Sequence, residues 1–584
     1  MMFRLTILLL TIFPTLAMAT TPLRRTFVHR QPNGEVIKVN KYGNGEYMTY
    51  ATTEGLPLLL NNEGALCYAT VNNGELQISE HVYTLKTKHA PSAAITSVAE
   101  WNTYVQREKS VRALSATGED GMGIYGQSAK GTVPSIGSIT IPTIMVEFPD
   151  RTFLETSTIE KMSRRMNEKG YADEAYCKGS VKDYFEDQSN AAFSPSFEIV
   201  CKVMTDYEYA YYGQNNGSQI DIKATTLVKE VINKAEKSGV DFSKYANNGG
   251  VPLVNILHAG PGEHSSFEEG CENYMWAHYR EYAYTTPNGV KCKSYFVSNE
   301  TFQNYQEAED GTLEIIETTT DGIGVFCHEF SHALGLPDFY SSSHDSALMD
   351  FWSLMDYGQN AYDGYAPVPY LAYERAYMGW LDVTELQATH RGACSLYTFG
   401  EENKGATAYL LRNDYNDKEY FIFENRQAST PWHPSFLGTG MLITHIDYNA
   451  SAWNSNQVNK YADHQRMQYV PADGYKQTNS TKNGWNDYKG DLYPGIAYNT
   501  QFTPNSNPPS AVFTGEMNKP IYDIEENDGV ITFNYLESEN VGSSINTIPQ
   551  NTQSGVVYDL FGRKVNQPNK GQLYLKNGQK IIMP

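Results

Sequence analysis

The sequence has no long hydrophobic run after its first 19 residues, and it is short of basic residues. A helix that spans a bilayer needs about twenty mostly apolar residues, so we expect no integral membrane segment in residues 20–584. The 584 residues include 45 Lys and Arg against 67 Asp and Glu, which gives a formal net charge of -22. Because such a charge repels phosphate groups, it excludes nucleic acid and anionic membranes as expected partners.

Residues 1–19 have the pattern of a secretory signal peptide. Arg4 is followed by an apolar run at 5–16 and by the small-residue sequence AMA at 17–19, which is the order of regions that an export signal requires. We therefore expect an exported protein, secreted or held at the cell surface, and we expect it to be a monomer.

Cysteine is scarce, with seven residues in the whole chain. Export makes disulfides permissible. If processing removes Cys67, the six that remain allow fifteen pairings, among which we favour Cys271 with Cys292 because they flank a predicted hairpin. Cys67 lies in a predicted strand, and its neighbours predict a buried core thiol.

The N-terminal region is rich in turn-forming clusters. PNGE, GNGE, NNEG and NNGE interrupt short alternating stretches between residues 20 and 115, and this spacing predicts a small β-rich module. Residues 116–138 are rich in Gly and Ser, which is typical of a linker and of a site for proteolytic activation.

The sequence HEFSHALGLPD at 328–338 carries the strongest chemical signal. His328 and His332 are four residues apart on a predicted helix, so both imidazoles can hold one metal ion. Glu329 lies beside them, where it can act as the general base on a metal-bound water. Gly335 allows the chain to turn, and the turn can bring in Asp338 as a third, anionic ligand.

Two other residues, Cys327 and Glu374, offer weaker alternatives for the ligand set. Cys327 adjoins His328, but its direction on the helix favours a core thiol over a ligand. Glu374, in LAYER, is the one candidate for the third ligand of a thermolysin-like site. Asp338 makes that arrangement the less favoured one.

The segment SLMDYG follows seventeen residues after Asp338 and contains Met355 and Tyr357. At this point the chain resembles the metzincin metalloproteases, in which a tight turn places a methionine under the metal. The form HEFxHxLGLPD, with Asp in place of a third His, is most similar to the immune inhibitor A family of secreted bacterial peptidases. The resemblance implies that Tyr357 steadies the oxyanion; a packed aromatic residue is the alternative.

The resemblance extends from about residue 30 to 535 and implies an α+β multidomain protein. A metzincin-like catalytic domain, with a twisted mixed sheet, a backing helix and an active-site helix, is flanked by a small β-rich propeptide and a C-terminal β-sandwich-like domain. The expected order is a signal peptide at 1–19, a propeptide at 20–115, a linker and activation region at 116–138, the zinc peptidase domain at 139–385, a β-rich accessory domain at 386–536, a spacer at 537–554 and a C-terminal segment at 555–584.

The expected function is zinc-dependent hydrolysis of peptide bonds in protein or peptide substrates. One zinc ion, held by His328, His332 and Asp338, would lower the pKa of a bound water, and Glu329 would take its proton. A structural calcium site is poorly supported, since Asp241 is the one acid in the loop that resembles a calcium-binding segment. The alternative function is a surface adhesin for glycan or protein on a protease-like scaffold; a zinc deacetylase or amidase is a further possibility.

The last 30 residues form a separate unit. YDLFGRKV, a KGxxYLKNG turn and a basic residue before a terminal apolar strand resemble the C-terminal sorting sequences of the type IX secretion system of Bacteroidetes. The resemblance implies that the export machinery is a partner at both ends of the chain. A plain final pair of strands is the alternative.

Overall fold

The computed structural model describes residues 17–23, 26–43, 47–61, 63–72, 75–85, 90–101, 104, 131–217, 219–308, 313–341, 348–476, 486–538, 557–558, 564–565, 570, 573–576 and 579–582. Most of the predicted signal peptide, linker and spacer therefore lies outside the described residues. Among the helices of the described part, none is long and apolar enough to cross a membrane.

Strands make up most of the regular structure. They are β1 (Ala17–Ala19), β2 (Phe27–Arg30), β3 (Val36–Gly43), β4 (Met48–Thr52), β5 (Pro57–Leu60), β6 (Leu66–Asn72), β7 (Glu75–Val82), β8 (Gly137–Glu147), β9 (Phe193–Met204), β10 (Val254–Pro261), β11 (His278–Thr285), β12 (Lys291–Glu307), β13 (Leu313–Thr320), β14 (Thr384–Glu385), β15 (Gly392–Leu396), β16 (Ala408–Asn413), β17 (Asn416–Arg426), β18 (Gly440–Asp447), β19 (Met467–Tyr469), β20 (Ile521–Asn527), β21 (Val530–Tyr535), β22 (Val557–Tyr558), β23 (Lys564–Val565), β24 (Leu573–Lys576) and β25 (Gln579–Ile582). The helices are α1 (Ile159–Asn167), α2 (Val181–Gln188), α3 (Tyr209–Tyr212), α4 (Ala224–Lys237), α5 (Gly324–Ala333), α6 (Ala372–Met378), α7 (Ala450–Asn454) and α8 (Asn486–Gly490).

We call residues 139–385, the peptidase domain expected from the sequence, the catalytic region; a seven-stranded mixed sheet forms its centre. Its order is β1-β11-β12-β10-β8-β9, and β13 pairs with the far part of β12. Strands β9, β8, β10 and β12 run parallel to one another, whereas β11 is antiparallel to β12. Because β1 comes from the distant N-terminus, β11 is the edge strand of the sheet that the rest of this region builds.

Helices cover both faces of this sheet, as expected for largely parallel strands buried on two sides. On one face, α4 buries Leu227, Val228, Val231, Ile232 and Ala235, which confirms the predicted backing helix. On the other face, α5 packs Phe326 and Phe330 against Phe197 and Phe296 of the sheet. The motif at 328–338 is therefore anchored to the sheet through the apolar side of α5.

The N-terminal module is an antiparallel sheet in which β2 to β7 pair in sequence order. Its apolar side merges with the catalytic region, because Phe27, Tyr50 and Leu58 belong to one cluster with Trp276 and Phe302. Cys67 is a buried residue of β6, as expected.

Two further sheets form a sandwich after residue 383. A five-stranded sheet of β14, β16, β17, β18 and β19 faces a three-stranded sheet of β15, β21 and β20, and their facing side chains include Phe421, Phe423, Ile521 and Phe533. A third, four-stranded sheet of β22 to β25 lies at the C-terminal end.

The five-stranded sheet also belongs to the catalytic core. Alternate residues of β17, Tyr420 and Ile422, share a hydrophobic cluster with Phe330 and Leu334 of the α5 region, while Phe421 and Phe423 face the sandwich interior. A strand with both faces buried in this way is not a peripheral element. The expected accessory domain is thus packed directly against the catalytic region.

The predicted disulfide is wrong. All seven cysteines lie within the described residues, and all are free thiols. Cys271 sits in a turn, where its Sγ lies 3.4 Å from the carbonyl oxygen of Ser266, whereas Cys292 is part of β12. Both contribute apolar side chains to one cluster without a covalent bond.

Candidate metal centre

Helix α5 presents its two histidines on one face. His328 and His332 are fully buried or nearly so, and their Nε2 atoms lie 3.2 Å apart. The spacing of four residues is close to one helical turn, so the two rings lie next to each other, edge to face, with their centres 4.7 Å apart. The sequence prediction that both imidazoles project to one point agrees with this arrangement.

Gly335 turns the chain at the end of the helix, as the sequence indicates. Its φ of +106° is one that other residues adopt only with strain. The amide of Leu336 then donates to the carbonyl of Ser331 (3.2 Å), and the chain folds back. Asp338 Oδ1 consequently lies 3.2 Å from Nε2 of His328 and 3.3 Å from Nε2 of His332.

Nε2 of His328, Nε2 of His332 and Oδ1 of Asp338 form a triangle of acceptor atoms that a cation can bind. Nδ1 of His328 lies 2.9 Å from the carbonyl of Leu354, and Nδ1 of His332 lies 2.7 Å from that of Leu336. Since only a protonated Nδ1 can donate to a carbonyl, each Nε2 turns a lone pair toward the centre. Asp338 Oδ1, the third corner, is buried and makes no hydrogen bond.

Zinc fits this triangle by size and by chemistry. Tetrahedral zinc with bonds of about 2.0–2.1 Å separates its ligand atoms by roughly 3.3 Å, close to the three observed separations. Burial lowers the pKa of His328, which favours the neutral imidazole that a metal needs. Burial alone would raise the pKa of Asp338, but His332 and His328 hold it well below its usual range, so this ligand is anionic.

Glu329 points into the same cavity but is not part of the triangle. Its Oε1 accepts a hydrogen bond from the amide of Thr20 (2.7 Å), and its Oε2 is buried without a hydrogen-bond partner. Burial raises the pKa of this carboxyl well above its usual range, and the negative charge of Asp338 raises it further. Both features suit a group that exchanges protons.

The turn at 353–356 supports the centre from below. The carbonyl of Leu354 holds His328, and the carbonyl of the fully buried Met355 accepts from the amide of Phe339 (2.8 Å). Tyr357 begins the 3-10 helix Tyr357–Asn360 and lays its buried ring edge-on against Phe351. Its action on an oxyanion stays a prediction.

Glu374 has a structural position instead of a ligand position. Its Oε2 accepts from the amide of Leu371 (2.6 Å) at the start of α6, and its Oε1 accepts from the hydroxyl of Ser353 (2.5 Å). Both oxygens are thus engaged away from the two histidines. The thermolysin-like alternative is contradicted, although Glu374 does brace the turn that carries Leu354.

Asn456 is a site residue that the sequence did not reveal. Its side-chain NH2 donates to Asp338 Oδ2 (2.6 Å), and its side-chain oxygen accepts from the amide of Asp338 (2.7 Å). This pair of bonds fixes the carboxylate so that Oδ1 faces the histidines. The two residues are 118 positions apart, and no local pattern links them.

The N-terminal segment crosses the site. Strand β1 pairs antiparallel with β11, with Ala19 opposite His278. The amide of Thr20 then donates to Glu329, and the carbonyl of Thr20 accepts a hydrogen bond from the indole of Trp276 (2.9 Å). Three residues later, the amide of Leu23 donates to the carbonyl of His264 (3.1 Å). An extended chain therefore follows the edge strand and passes directly over Glu329.

Comparison with known proteins agrees with this geometry. Residues 135–378 match the immune inhibitor A peptidase M6 catalytic domain. The matched region includes strands β8 to β13, helix α5, Asp338 and the turn at Met355, and it is similar to the catalytic domain of these peptidases. The matched range is close to the zinc peptidase domain expected at 139–385, whose boundaries stay a prediction.

Individual relatives of the chain are distant. The pre-pro-metalloprotease PrtV of Vibrio cholerae serotype O1 is 27% identical over 199 residues, which is 31% of this chain and 21% of the relative. Immune inhibitor A of Bacillus thuringiensis subsp. alesti is 26% identical over 205 residues, which is 31% of this chain and 28% of the relative. The chain thus spans between about a fifth and just over a quarter of the curated relatives it matches.

Proposed function

We propose that the protein is a secreted zinc-dependent endopeptidase. The observation that carries the proposal is the triangle of His328, His332 and Asp338, in which three buried acceptor atoms face one another with Glu329 alongside. Zinc, when bound there, supplies a Lewis acid that polarises the peptide carbonyl and lowers the pKa of water.

The edge strand β11 is the natural binding surface for a substrate. Its backbone pairs with β1 through Ala17, Met18 and Ala19, so an extended segment of this chain lies along it, and this supports the proposal. Strand addition of this kind binds peptides through the main chain and leaves sequence preference to side-chain pockets. A protein substrate would lie in the same direction across the site.

Glu329 would move the proton. It would take a proton from water as the oxygen attacks the carbonyl carbon, and it would pass that proton to the nitrogen of the departing amine. The amide nitrogen of Thr20 lies 2.7 Å from Oε1, which is the distance such a transfer requires. Tyr357 would assist the oxyanion, and Met355 would pack beneath the metal.

We further propose that residues 20–115 are a propeptide that keeps the enzyme latent. The segment from Thr20 to Leu23 lies where a substrate would, and the module behind it covers Trp276. The name of the Vibrio relative states that it too is made as a pre-pro form. Signal removal at Ala19 and export through the C-terminal segment belong to the same proposal.

Hydrolysis of casein by the matured full chain tests the proposal, with Glu329→Gln as the informative variant. We expect a loss of about 10²–10⁴-fold in rate, the usual contribution of a general base, and unchanged zinc content. Glu314→Gln, at an exposed position of β13, is the matched control and should keep its activity. A wild-type protein that neither binds zinc nor cleaves casein would favour the adhesin alternative.

A further inference from the structure

Glu263 is a buried acid with no obvious structural task. Its side chain is 0% exposed, and neither carboxylate oxygen makes a hydrogen bond of ordinary geometry with a described residue. A buried carboxylate without partners is unfavourable in a folded protein. Such a group is more often kept for a ligand than for stability.

The position of Glu263 relates it to the substrate path. The main-chain carbonyl of its neighbour His264 accepts a hydrogen bond from the amide of Leu23. Leu23 follows three residues after Thr20, whose amide donates to Glu329. Three residues of extended chain span at most about 10 Å. Glu263 therefore lies beside the cleft, within reach of side chains that enter it close to the catalytic glutamate.

The direction of the N-terminal segment identifies the side of the cleft. The nitrogen of Thr20 contacts Glu329, where the nitrogen of the departing amine would receive its proton. Residues after Thr20 then correspond to the part of a substrate on the leaving-group side of the scissile bond. Glu263 lies on that side, near the positions that Thr21, Pro22 and Leu23 take.

A lysine of the N-terminal module is directed at this place. Lys41, on β3, is only 6% exposed, and its Nζ donates to the main-chain carbonyl of Glu263 (3.1 Å). The ammonium also lies 4.6 Å from the ring centre of Phe27 and 5.8 Å from that of Tyr50. The module thus brings a desolvated cation close to the buried Glu263.

The charges around Glu263 also favour a cation. Burial raises the pKa of Glu263 well above its usual range, while the Lys41 ammonium and the nearby Asn215 amide lower it, so this carboxylate needs a cation beside it to stay ionised. Asp221 Oδ1 is likewise buried without a hydrogen-bond partner. When the module leaves, Glu263 loses the positive charge of Lys41.

We propose that Glu263 is the acidic floor of a specificity pocket that takes a Lys or Arg side chain of the substrate. The basic residue would lie two to four positions beyond the scissile bond on the leaving-group side, and in the precursor Lys41 lies beside this site on the main-chain carbonyl of Glu263. This inference rests on the proposed peptidase function and gives that function a preferred substrate class.

Pairs of peptides test the pocket in the matured full chain. Each pair is identical except for Lys or Met at the second, third or fourth residue after the scissile bond, and kcat/KM is measured for both members. We expect a preference for Lys of about tenfold or more at one of these positions, since hydrogen bonds to a charged partner contribute roughly 1.5–3 kcal/mol. In Glu263→Gln the ratio should fall toward one, whereas Glu155→Gln, an exposed control, should keep it.

Several outcomes would overturn the inference. A wild-type ratio near one at all three positions, with the peptides cleaved, would do so without any variant. A preference for Lys that persists in Glu263→Gln would also do so. If the activity of that variant also responds less to added Ca²⁺ while the preference is unchanged, Glu263 is a cation ligand and not a specificity residue. If the wild type cleaves no peptide at all, the proposed function fails, and the inference fails with it.

Discussion

Asn456 connects the C-terminal β-rich region to the metal centre through two hydrogen bonds to Asp338. Partners of this kind orient a metal ligand and commonly change metal affinity by about 10–100-fold when they are lost. We therefore expect Asn456→Gly to weaken zinc binding by about that factor, as measured by competition with a chelator. Glycine is chosen because Asn456 has a φ of +53°, which glycine accepts without strain.

A matched control exists for this substitution. Asn248 is also left-handed, with a φ of +45°, and is exposed away from the centre. Asn248→Gly should leave zinc affinity unchanged. If both variants lose zinc equally, or neither does, the role of Asn456 as a positioning residue is wrong.

Asp221 gives a prediction on pH. Burial raises its pKa to about 8, against the opposing effects of the Trp276 amide and Arg280, so the folded protein holds a proton that the unfolded chain releases above about pH 4. Stability that depends on this proton is complete below pH 4 and is lost as pH rises toward 8. Asp221→Asn removes the dependence and keeps an acceptor for the Trp276 amide (3.0 Å).

Chemical denaturation at pH 5 and pH 7.5 measures the effect. The free energy of unfolding of the wild type, relative to Asp221→Asn, should fall by up to about 1.4 kcal/mol per pH unit across this range. A difference between the two proteins that is the same at both pH values would contradict the assignment of a raised pKa.

The site residues were predictable to the extent that they sit in one local pattern. His328, Glu329, His332 and Asp338 follow from helical spacing and from one glycine turn. Their partners do not, because Leu354 and Leu336 act through main-chain carbonyls, which any residue type offers. Asn456 comes from a distant part of the chain, and no motif in the sequence marks Glu263.

Among the elements, the segment from Thr20 to Leu23 is the one whose removal should change activity most directly. It contacts Glu329, Trp276 and His264 across the cleft. A chain that keeps its export signal but lacks residues 20–23 should hydrolyse peptides before the module is cleaved off. The intact precursor should show little peptidase activity before the module is cleaved off. A gel measures how much of the module remains attached, and a peptide assay measures the activity. Equal latency in both chains would show that this segment does not block the site.

Helices and buried strands were the most predictable elements. Helix α4 follows its apolar periodicity, and α2 begins at the capping box of Ser180 and Asp183. Helix α6 begins after Pro367 and Pro369, which keep the preceding chain out of helical geometry, and it ends at Gly379, whose φ is +77°. The pairing of β1 with β11 joins residues more than 250 positions apart, and no local signal reports it.

At the scale of the whole molecule, the catalytic region and the following sheet share one core. Tyr420, Ile422 and Leu442 of the five-stranded sheet pack in the cluster that contains Phe330 and Leu334. Cutting the chain after residue 385 would expose this apolar surface, at a cost of about 25 cal/mol for each Å². We expect that truncated chain to be insoluble or to lack a cooperative thermal transition.

A second truncation serves as the comparison. The strands β22 to β25 pair only with one another among the described residues, so a chain that ends at residue 538 should fold with nearly the same melting temperature as the full chain. A stable, cooperative product ending at 385 would mean that the boundary expected from the sequence is a true domain boundary. It would also mean that Asn456 is dispensable for folding of the metal centre.

Zinc titration of the metal-free, matured chain is the most direct test of the central claim, that His328, His332 and Asp338 together hold one zinc ion needed for peptide hydrolysis. Activity should be absent after chelation, should rise in proportion to added zinc, and should reach its plateau at one equivalent per chain. His332→Ala should show neither binding at this stoichiometry nor activity. Full activity in the metal-free protein, or an unchanged titration in His332→Ala, would contradict the claim.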